Sequence, residues 1–600
     1  MKVEITKNTI IKDLVEKYPS TVEVFRKHKL LIAGGVRGPN EPLGFFAKAH
    51  DVNYDELVKE LHEAIEKGTE GAVAPVLVVD RLYEKYVKAA IILILTAGAT
   101  FGAAILTGIG IKGDFRSIPY SIIQPHGFAQ LFGWLGLCIM GFGYYIIPRV
   151  KGTELYGKKL PEFVFWLMIG GIALRTVIQP IPDDRLNILL PISGVALVVA
   201  VCLFAYGIFN TMRQSTNPLE VFDKFFVAGV VWFIINSLIN LAMTIYLFIS
   251  PSKEIPQSIF APFVHLFLFG FAIMFIFAIN LRTVYAFLDL EKPITWLANS
   301  SFVILNIAVP IYFITTWLKY NHVVFLKLSQ LSIYFIVLAG FMFIYAIRIF
   351  SRQTKELEDI VMDRSYEKAI KAAYAWLIIA LIMFVFETFL KQPEQAYLFH
   401  GSANHAITVG FITMMIIGYS SKMIPTFTGI NLFSTRLSDI TFIMLNTGIF
   451  IRVSSQIMTG FYGGPFYITS LSSGWIEVGG LALFGVNLWK TMNAAYEEEA
   501  KITEASVVCE PAQEQVSVGS PSASVVQVGT IKITKDSKIG DIIQKYPQTL
   551  DVLIGLGFKQ LKNPIARRTV AKFATVEMAS KMHNINLEKL LQVLNEKCQG

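Results

Sequence analysis

The sequence predicts an all-α, polytopic membrane protein with twelve transmembrane helices and small, mainly helical domains at both ends. The first observation is composition. The 600 residues are 54% hydrophobic and 16% charged, with a mean hydropathy of +0.52, which is too apolar for a chain of soluble domains. The second is length, because twelve apolar runs reach the roughly 20 residues that a helix needs to cross the hydrocarbon layer. The third is that charged, helix-patterned segments flank these runs.

The first apolar run begins only after more than 80 mainly polar residues, so it is not a cleaved secretory signal, which would stand at the N-terminus. It is therefore predicted to insert as a true span. The twelve predicted spans cover residues 86–110, 124–147, 160–179, 188–210, 224–249, 262–287, 296–317, 327–350, 370–390, 401–424, 437–458 and 470–492.

Basic residues predict the orientation of these spans. Sixteen Lys and Arg residues lie in the loops and span ends that follow even-numbered spans, against nine after odd-numbered spans. The positive-inside rule therefore places both termini of this multi-pass membrane protein in the cytoplasm. Even-numbered spans then enter from the outer side. Because the basic residues lie mainly beside spans, they indicate topology and a lipid partner, and no nucleic-acid partner is expected.

The two ends of the chain repeat each other. Residues 3–25 and 531–553 share ten residues at a constant offset, among them the Lys-Tyr-Pro of 17–19 and 545–547. We predict one small cytoplasmic domain used twice, at 1–72 and 530–600, with the membrane domain at 80–495. The segment 496–529 between them is rich in Ser, Glu, Gln and Val and poor in aromatic residues, and is predicted to be a flexible linker.

On its ITK, KYP and terminal-helix features, the repeated unit resembles the small disulfide redox domain associated with hybrid-cluster proteins. That family usually carries a cysteine pair after the first helix, whereas this chain has KHKLLIAGGVRGPNEP and GLGFKQLKNPIARRTV there. Without thiols neither copy can exchange disulfides. Both are interpreted as docking or regulatory modules for an unknown cytoplasmic protein partner, with His28, His50 and His583 as surface histidines.

Four of the nine histidines fall in or at the mouth of predicted spans: His126, His265, His400 and His405. Ionisable residues inside a membrane are costly, which favours a functional interpretation, although a single histidine also serves as a hydrogen-bonded link between helices. Spans 2, 6 and 10 all run from outside to inside, and each has its histidine near its beginning. The histidines are therefore expected at one depth near the outer face.

The local patterns around these histidines agree. HLFLFGF (265–271) and HAITVGF (405–411) share a histidine, then four residues, then Gly-Phe. In each span a cation lies 17 residues after the histidine. The recurrence every four spans indicates three quasi-equivalent groups of four helices. Neutral imidazole is a good ligand for haem iron, copper or zinc. Glycine and aromatic residues near these histidines favour haem, and ordinary helix packing is the alternative.

The three motifs HGFAQLFGWLGLCIMGFGYYIIPR, HLFLFGFAIMFIFAINLRT and HAITVGFITMMIIGYSSKMIPTFTG resemble the histidine-bearing helices of the NnrS family, twelve-span relatives of haem-copper oxidase subunit I. The resemblance covers residues 86–492. It implies haem as a cofactor, with His126 and His405 as axial ligands, and copper near His265, with His400 completing a second site. Arg175 and Arg452 are the candidate partners of haem propionates, with snorkelling to the interface as the alternative.

The NnrS resemblance also implies a membrane haem protein that binds, senses or detoxifies nitric oxide or a related diatomic ligand. One departure is that residues 296–317 lack the histidine pair of haem-copper oxidases, because His322 lies beyond the span. The alternatives are a membrane oxidoreductase that reduces nitric oxide or oxygen, and a transporter with an intramembrane histidine site. No catalytic residue is assigned, although Glu387 and Glu477 are candidate proton-handling groups.

Overall fold

A computed structural model describes residues 4–28, 38–68, 81–318 and 322–508 and part of the segment from 533 to 598. His583 lies outside the described residues. In these parts of the chain the regular structure is helical, apart from two isolated β-bridges, Ile10–Pro42 and Lys538–Thr575. The chain divides into two compact units, Met1–Glu510 and Pro511–Gly600.

Twelve helices of the first unit are long and apolar enough to cross a membrane, which confirms the predicted fold class. Spans 1 to 12 are Leu82–Lys112, Tyr120–Lys151, Leu160–Ile178, Asp184–Arg213, Val221–Ile249, Gln257–Phe287, Thr295–Leu318, Val323–Ala346, Tyr366–Glu387, Pro393–Thr428, Thr435–Tyr462 and Pro465–Glu498. The last helix continues to Val508, so it includes the beginning of the segment predicted as a linker.

Spans 2, 6 and 10 form the centre of the bundle. Their central apolar stretches are 100%, 78% and 83% buried within the protein, against 33–56% for the other nine spans. The outer spans instead leave large apolar side chains such as Trp166, Ile307 and Phe450 exposed, as expected for residues that face lipid. The three spans that carry histidines are therefore the ones most removed from lipid.

Each central span contains a π-helical segment that begins within three residues after its histidine. The segments are Ala129–Gly136, Leu266–Ala272 and Ala406–Thr413. A π-segment shifts the hydrogen-bond pattern of a helix by one residue and is found frequently at functional sites. The three histidine-bearing spans thus share a local backbone irregularity as well as a sequence motif.

The N-terminal domain of the first unit has four α-helices around a core that includes Leu14, Phe25 and Phe46. Its α-helices are Ile11–Lys17, Val22–Lys27, Leu43–His50 and Tyr54–Lys67. The domain packs against one end of the membrane bundle, the end at which spans 2, 6 and 10 finish. We call this the inner end, following the predicted orientation.

A buried ion pair joins this domain to the inner end of span 10. The carboxylate of Glu41 accepts from the Lys422 ammonium at 2.8 Å and from the Thr426 hydroxyl at 2.6 Å. The side chains of Glu41 and Lys422 are each only 9% exposed. The Lys422 ammonium also lies 4.0 Å from the ring centroid of Phe45. This contact holds the domain to the histidine-bearing span 10.

A second ion pair joins the domain to the residues that follow span 6. Lys48 donates to the Asp289 carboxylate and, at 2.6 Å, to the Thr354 hydroxyl. Burial by itself would raise the pKa of Asp289, but hydrogen bonds from Lys48, Thr354 and the Leu357 amide lower it below its ordinary value. The Asp289 carboxylate is therefore charged at neutral pH and favours docking.

The interpretation of His50 as a surface histidine was wrong. Its ring packs against Phe46 at 4.3 Å between centroids. It also lines a cleft between the N-terminal domain and the inner end of the bundle, with an empty space of about 1470 Å³ including the part open to the surface. Burial lowers the pKa of His50 to about 4, because a charged imidazolium is disfavoured there. His28 also lines this cleft and hydrogen-bonds Glu60 at 2.8 Å.

The described residues of the second unit repeat backbone hydrogen bonds of the N-terminal domain. A small core of its own includes Ile539, Leu553 and Leu590. The matched N–H to C=O pairs are Leu14–Ile10 (3.0 Å) with Ile542–Lys538 (3.0 Å), Thr21–Tyr18 (3.0 Å) with Thr549–Tyr546 (2.9 Å), and Leu43–Thr9 (2.8 Å) with Val576–Ser537 (2.9 Å).

Candidate functional site

A large cleft opens near the outer ends of the histidine-bearing spans. Its empty space is about 1520 Å³, including the part open to the surface, and spans 1, 2, 6, 10, 11 and 12 contribute to its walls. Its lining is mostly apolar and includes three of the predicted histidines, His126, His400 and His405. Concave, largely apolar spaces with a few convergent polar groups are the usual form of a cofactor or ligand site.

His126 and His405 are held in the same way. The Nδ1 of His126 donates to the Gly98 carbonyl at 2.9 Å, and the Nδ1 of His405 donates to the Gly401 carbonyl at 2.8 Å. A hydrogen bond of this kind from one ring nitrogen fixes the tautomer and leaves the other nitrogen as the lone-pair donor. In both residues Nε2 is therefore the nitrogen available to a metal.

Glycine at position 102 makes room for the His126 ring. A Cβ built on Gly102 would lie 2.3 Å from Cε1 and 2.8 Å from Nε2 of His126, which no real side chain tolerates. Gly98, which accepts the His126 hydrogen bond, is itself in the π-helical segment Ile94–Gly98 of span 1. Span 1 thus supplies both the space and the hydrogen-bond acceptor that orient His126.

One wall of the cleft is polar and comes from spans 11 and 12. Arg452, Gln456 and Glu477 all line it. Arg452 Nη1, Gln456 Oε1 and Glu477 Oε1 are buried and have no hydrogen-bond partner among the described residues. Such atoms are rare in native proteins, and their convergence on the cleft indicates a polar ligand group there. The prediction that Arg452 lies near the histidine site thus agrees with this geometry.

His265 does not face this cleft as a free ligand. Its Nε2 donates to the Asn404 side-chain oxygen at 2.9 Å, and its Nδ1 accepts from the Tyr312 hydroxyl at 2.9 Å. Its ring lies 4.9 Å from that of His400, whose Nδ1 bonds the Glu387 carboxylate at 3.0 Å. Both nitrogens of His265 are therefore already used by protein groups.

The side chains around His265, in the positions that they occupy here, do not form a copper site. In the part of the chain that the structure describes, no three His, Cys, Asp or Glu side chains are arranged to hold a metal ion. A copper ion would require His265 to release Tyr312 or Asn404. The expectation that His265 and His400 together hold copper is thus not supported by this geometry, and we derive no chemistry from copper.

Arg175 is the other predicted site residue that the structure places elsewhere. It does not line the cleft, and its guanidinium contacts Gln179, Asn240 and the ring of Phe128. The guanidinium is directed toward span 5 at Asn240, so this geometry does not support the expectation that Arg175 meets a haem propionate. The snorkelling alternative also fails, since Arg175 is fully buried.

Sequence reasoning missed several polar residues of the site. Gln456 lies four residues after Arg452, and Asn404 directly precedes His405. The spacing of four places Gln456 and Arg452 on one helix face, which is a signal that the sequence contains. Tyr312 and Gly102 had no such signal, because their roles depend on how neighbouring spans pack against His265 and His126.

The fold and the site together define a class of protein. It is a twelve-span helical membrane protein with two backbone-oriented imidazoles and a polar wall in one cleft. The family model described as "Cytochrome C and Quinol oxidase polypeptide I" matches residues 85–494, and the chain belongs to this family. It is therefore a membrane protein of the haem-copper oxidase subunit I type.

Two further comparisons cover the fold and the C-terminus. A solved structure described as a heme-copper terminal oxidase dimer matches with a TM-score of 0.56 at 12% identity, covering 69% of this chain and 84% of that one. At this identity the match shows a shared fold. The model of a domain of unknown function, DUF1858, matches residues 533–591, within the second copy of the predicted repeat.

Proposed function

We propose that this chain is a haem protein of the bacterial inner membrane that binds nitric oxide or a related diatomic ligand, and senses or detoxifies it. His126 and His405 are the residues that would hold the iron of one haem. The observation that carries the proposal is their shared arrangement, with Nδ1 donating to a backbone carbonyl and Nε2 left as the ligating nitrogen. A bound haem would supply a redox-active iron, and uptake of a diatomic ligand there would require one of the two imidazoles to leave the iron.

The rest of the cleft fits a haem. Its walls are mainly apolar, as the macrocycle requires, while Arg452 Nη1 is a buried donor without a protein partner and suits a propionate carboxylate. On the inner side, Trp134 of span 2 donates to the Thr413 hydroxyl of span 10 at 3.1 Å. Both residues line the cleft, and their hydrogen bond joins the two histidine-bearing spans.

The nitric oxide part of the proposal rests on the resemblance of the three histidine motifs to the NnrS family. Both termini are proposed to lie in the cytoplasm, where the terminal domains contact a protein partner. An oxidoreductase that reduces nitric oxide or oxygen is the second candidate, and membership of the oxidase family favours it. The occupied nitrogens of His265 disfavour a second metal centre beside the haem, which such a reaction would use.

The optical spectrum of the purified full-length protein, before and after dithionite, tests the proposal. We expect a Soret band and, after reduction, the spectrum of a haem held by two imidazoles. Addition of nitric oxide should then change this spectrum. If no haem binds even after haem is added during expression, the haem proposal and the oxidoreductase are both wrong and a transporter remains. Nitric oxide consumption that depends on an electron donor would favour the oxidoreductase over the sensor.

Replacing Gly102 by alanine should weaken haem binding. The new methyl group meets the His126 ring at 2.3 Å and forces it off its hydrogen bond to Gly98. We expect a loss of roughly 10–100-fold in haem affinity, the range for disturbing a ligand's supporting contacts. Haem titration of the apoprotein measures it.

Gly170→Ala is the matched control for Gly102→Ala. Gly170 is also in a membrane span, but a Cβ there meets nothing within 4 Å. We expect haem affinity equal to that of the wild type. Equal affinities in the Gly102→Ala and Gly170→Ala proteins would show that His126 is not a ligand held by this contact.

A further inference from the structure

Arg175 is a fully buried cation whose contacts among the described residues are all uncharged. Its Nε donates to the Gln179 side chain at 3.3 Å, its Nη1 donates to the Asn240 side-chain oxygen, and its guanidinium lies 4.2 Å from the Phe128 ring centroid. Arg175, Gln179 and Asn240 are all 0% exposed. No carboxylate in the described parts of the chain lies close enough to neutralise this charge.

An isolated charge in this position is expensive. Removing a guanidinium from water costs several kcal/mol unless an opposite charge lies beside it. The face of Phe128 offsets only a part of this cost. Neutral amides satisfy hydrogen bonds but do not cancel a net charge. A negative charge would offset the desolvation cost that remains, and the described residues do not supply one.

Two hydrogen-bond donors of these bonded side chains are left over. Arg175 Nη2 and Asn240 Nδ2 are both buried without a hydrogen-bond partner. They belong to two groups that are already joined, since Nη1 of the same guanidinium bonds the oxygen of the same Asn240 amide. Unpaired hydrogen-bond donors on a cation and on its neighbour suit an anion, because an anion accepts hydrogen bonds. A cation or another donor would be repelled.

The surroundings select a small anion of one charge. Phe128, Arg175 and Asn240 come from spans 2, 3 and 5, and they are only 1%, 0% and 0% exposed. Gln179 closes the outer side, because its Nε2 donates to the Gln124 side chain and to the Lys253 carbonyl, both at 3.2 Å. A multiply charged anion such as phosphate would exceed the one uncompensated charge.

We infer that Arg175 and Asn240 form a buried site for a halide ion, of the chloride class, between spans 2, 3 and 5. The ion accepts hydrogen bonds from Arg175 Nη2 and Asn240 Nδ2 and neutralises the guanidinium. A water molecule would satisfy the donors but leave the charge. The site is separate from the histidine cleft and does not depend on the proposed function, because Arg175 does not line that cleft.

The test compares thermal unfolding of the purified full-length protein in chloride, in bromide and in gluconate at equal ionic strength. A ligand that binds only the folded state raises the midpoint temperature of unfolding as its concentration increases above its dissociation constant. We expect a rise of about 1–3 °C in chloride or bromide over gluconate for the wild type. A crystal grown in bromide should show anomalous density between Arg175 and Asn240.

Asn240→Asp is the decisive variant, because it places a fixed carboxylate beside Arg175 and replaces the ion. We expect a stable protein whose midpoint no longer responds to chloride or bromide. Arg185→Gln changes an exposed arginine paired with Asp183 and should keep the full wild-type response. A wild-type protein that responds equally to gluconate and chloride, or an Asn240→Asp protein that still responds to chloride, would overturn the inference.

Discussion

Replacing His126 by alanine should remove or convert the haem spectrum of the purified protein. The side chain supplies one of the two imidazole nitrogens that would hold the haem iron, and His405→Ala should remove the other. We expect a loss of haem affinity above about 100-fold, since losing only a supporting hydrogen bond of a metal ligand already costs roughly 10–100-fold. Optical and electron paramagnetic resonance spectra of membranes that contain equal amounts of the protein measure the effect.

His28→Ala is the control for these two variants. His28 lies in the N-terminal domain, bonded to Glu60, and does not line the histidine cleft. Its replacement should leave the haem spectrum unchanged. If His126→Ala and His405→Ala proteins both retain the wild-type spectrum at full occupancy, the two histidines do not ligate haem and the proposed site is wrong.

Breaking the Glu41–Lys422 pair should detach the N-terminal domain from the membrane bundle. Glu41→Leu leaves the Lys422 ammonium buried and without its carboxylate, which costs about 3–5 kcal/mol when one partner of a buried pair is removed. The opening equilibrium should therefore rise by more than about 100-fold. Hydrogen exchange of the helix Leu43–His50 reports this local opening.

The double variant Glu41→Leu/Lys422→Met separates the ion pair from simple packing loss. With both charges gone, exchange in Leu43–His50 should return close to the wild-type rate, because apolar replacement of a whole buried pair is often neutral. Glu23→Ala removes a 73% exposed partner of Arg26 and should change exchange little. Additive effects of the Glu41 and Lys422 changes would contradict a coupled pair.

Much of the fold followed from the sequence because crossing a membrane depends on local properties. Hydropathy summed over about 20 residues is the same whatever the run packs against, so the predicted run 224–249 matches the observed span Val221–Ile249 closely. The recurrence of histidines every four spans was also visible in the residues alone. The observed burial of spans 2, 6 and 10 shows that this recurrence marks the centre of the bundle.

The candidate site was predicted in part. His126, His405 and Arg452 share the cleft as expected, whereas Arg175 and His265 have partners that no spacing indicated. Arg175 meets Asn240 from span 5, and His265 meets Tyr312 from span 7. Such pairs depend on the rotation of each helix about its axis and on its neighbour, and a rotation of one residue, about 100°, changes every partner.

By itself the sequence determined the class of this protein, through twelve spans and the histidines that they carry, and it predicted a small domain repeated at both ends. Only the tertiary structure decided which histidine nitrogens remain for a metal, which arginine joins the site, and that Glu41 and Lys48 hold the N-terminal domain to spans 6 and 10. The reason is physical. Membrane insertion is set by the summed polarity of a segment, whereas a ligand site is set by individual atoms brought together from distant segments.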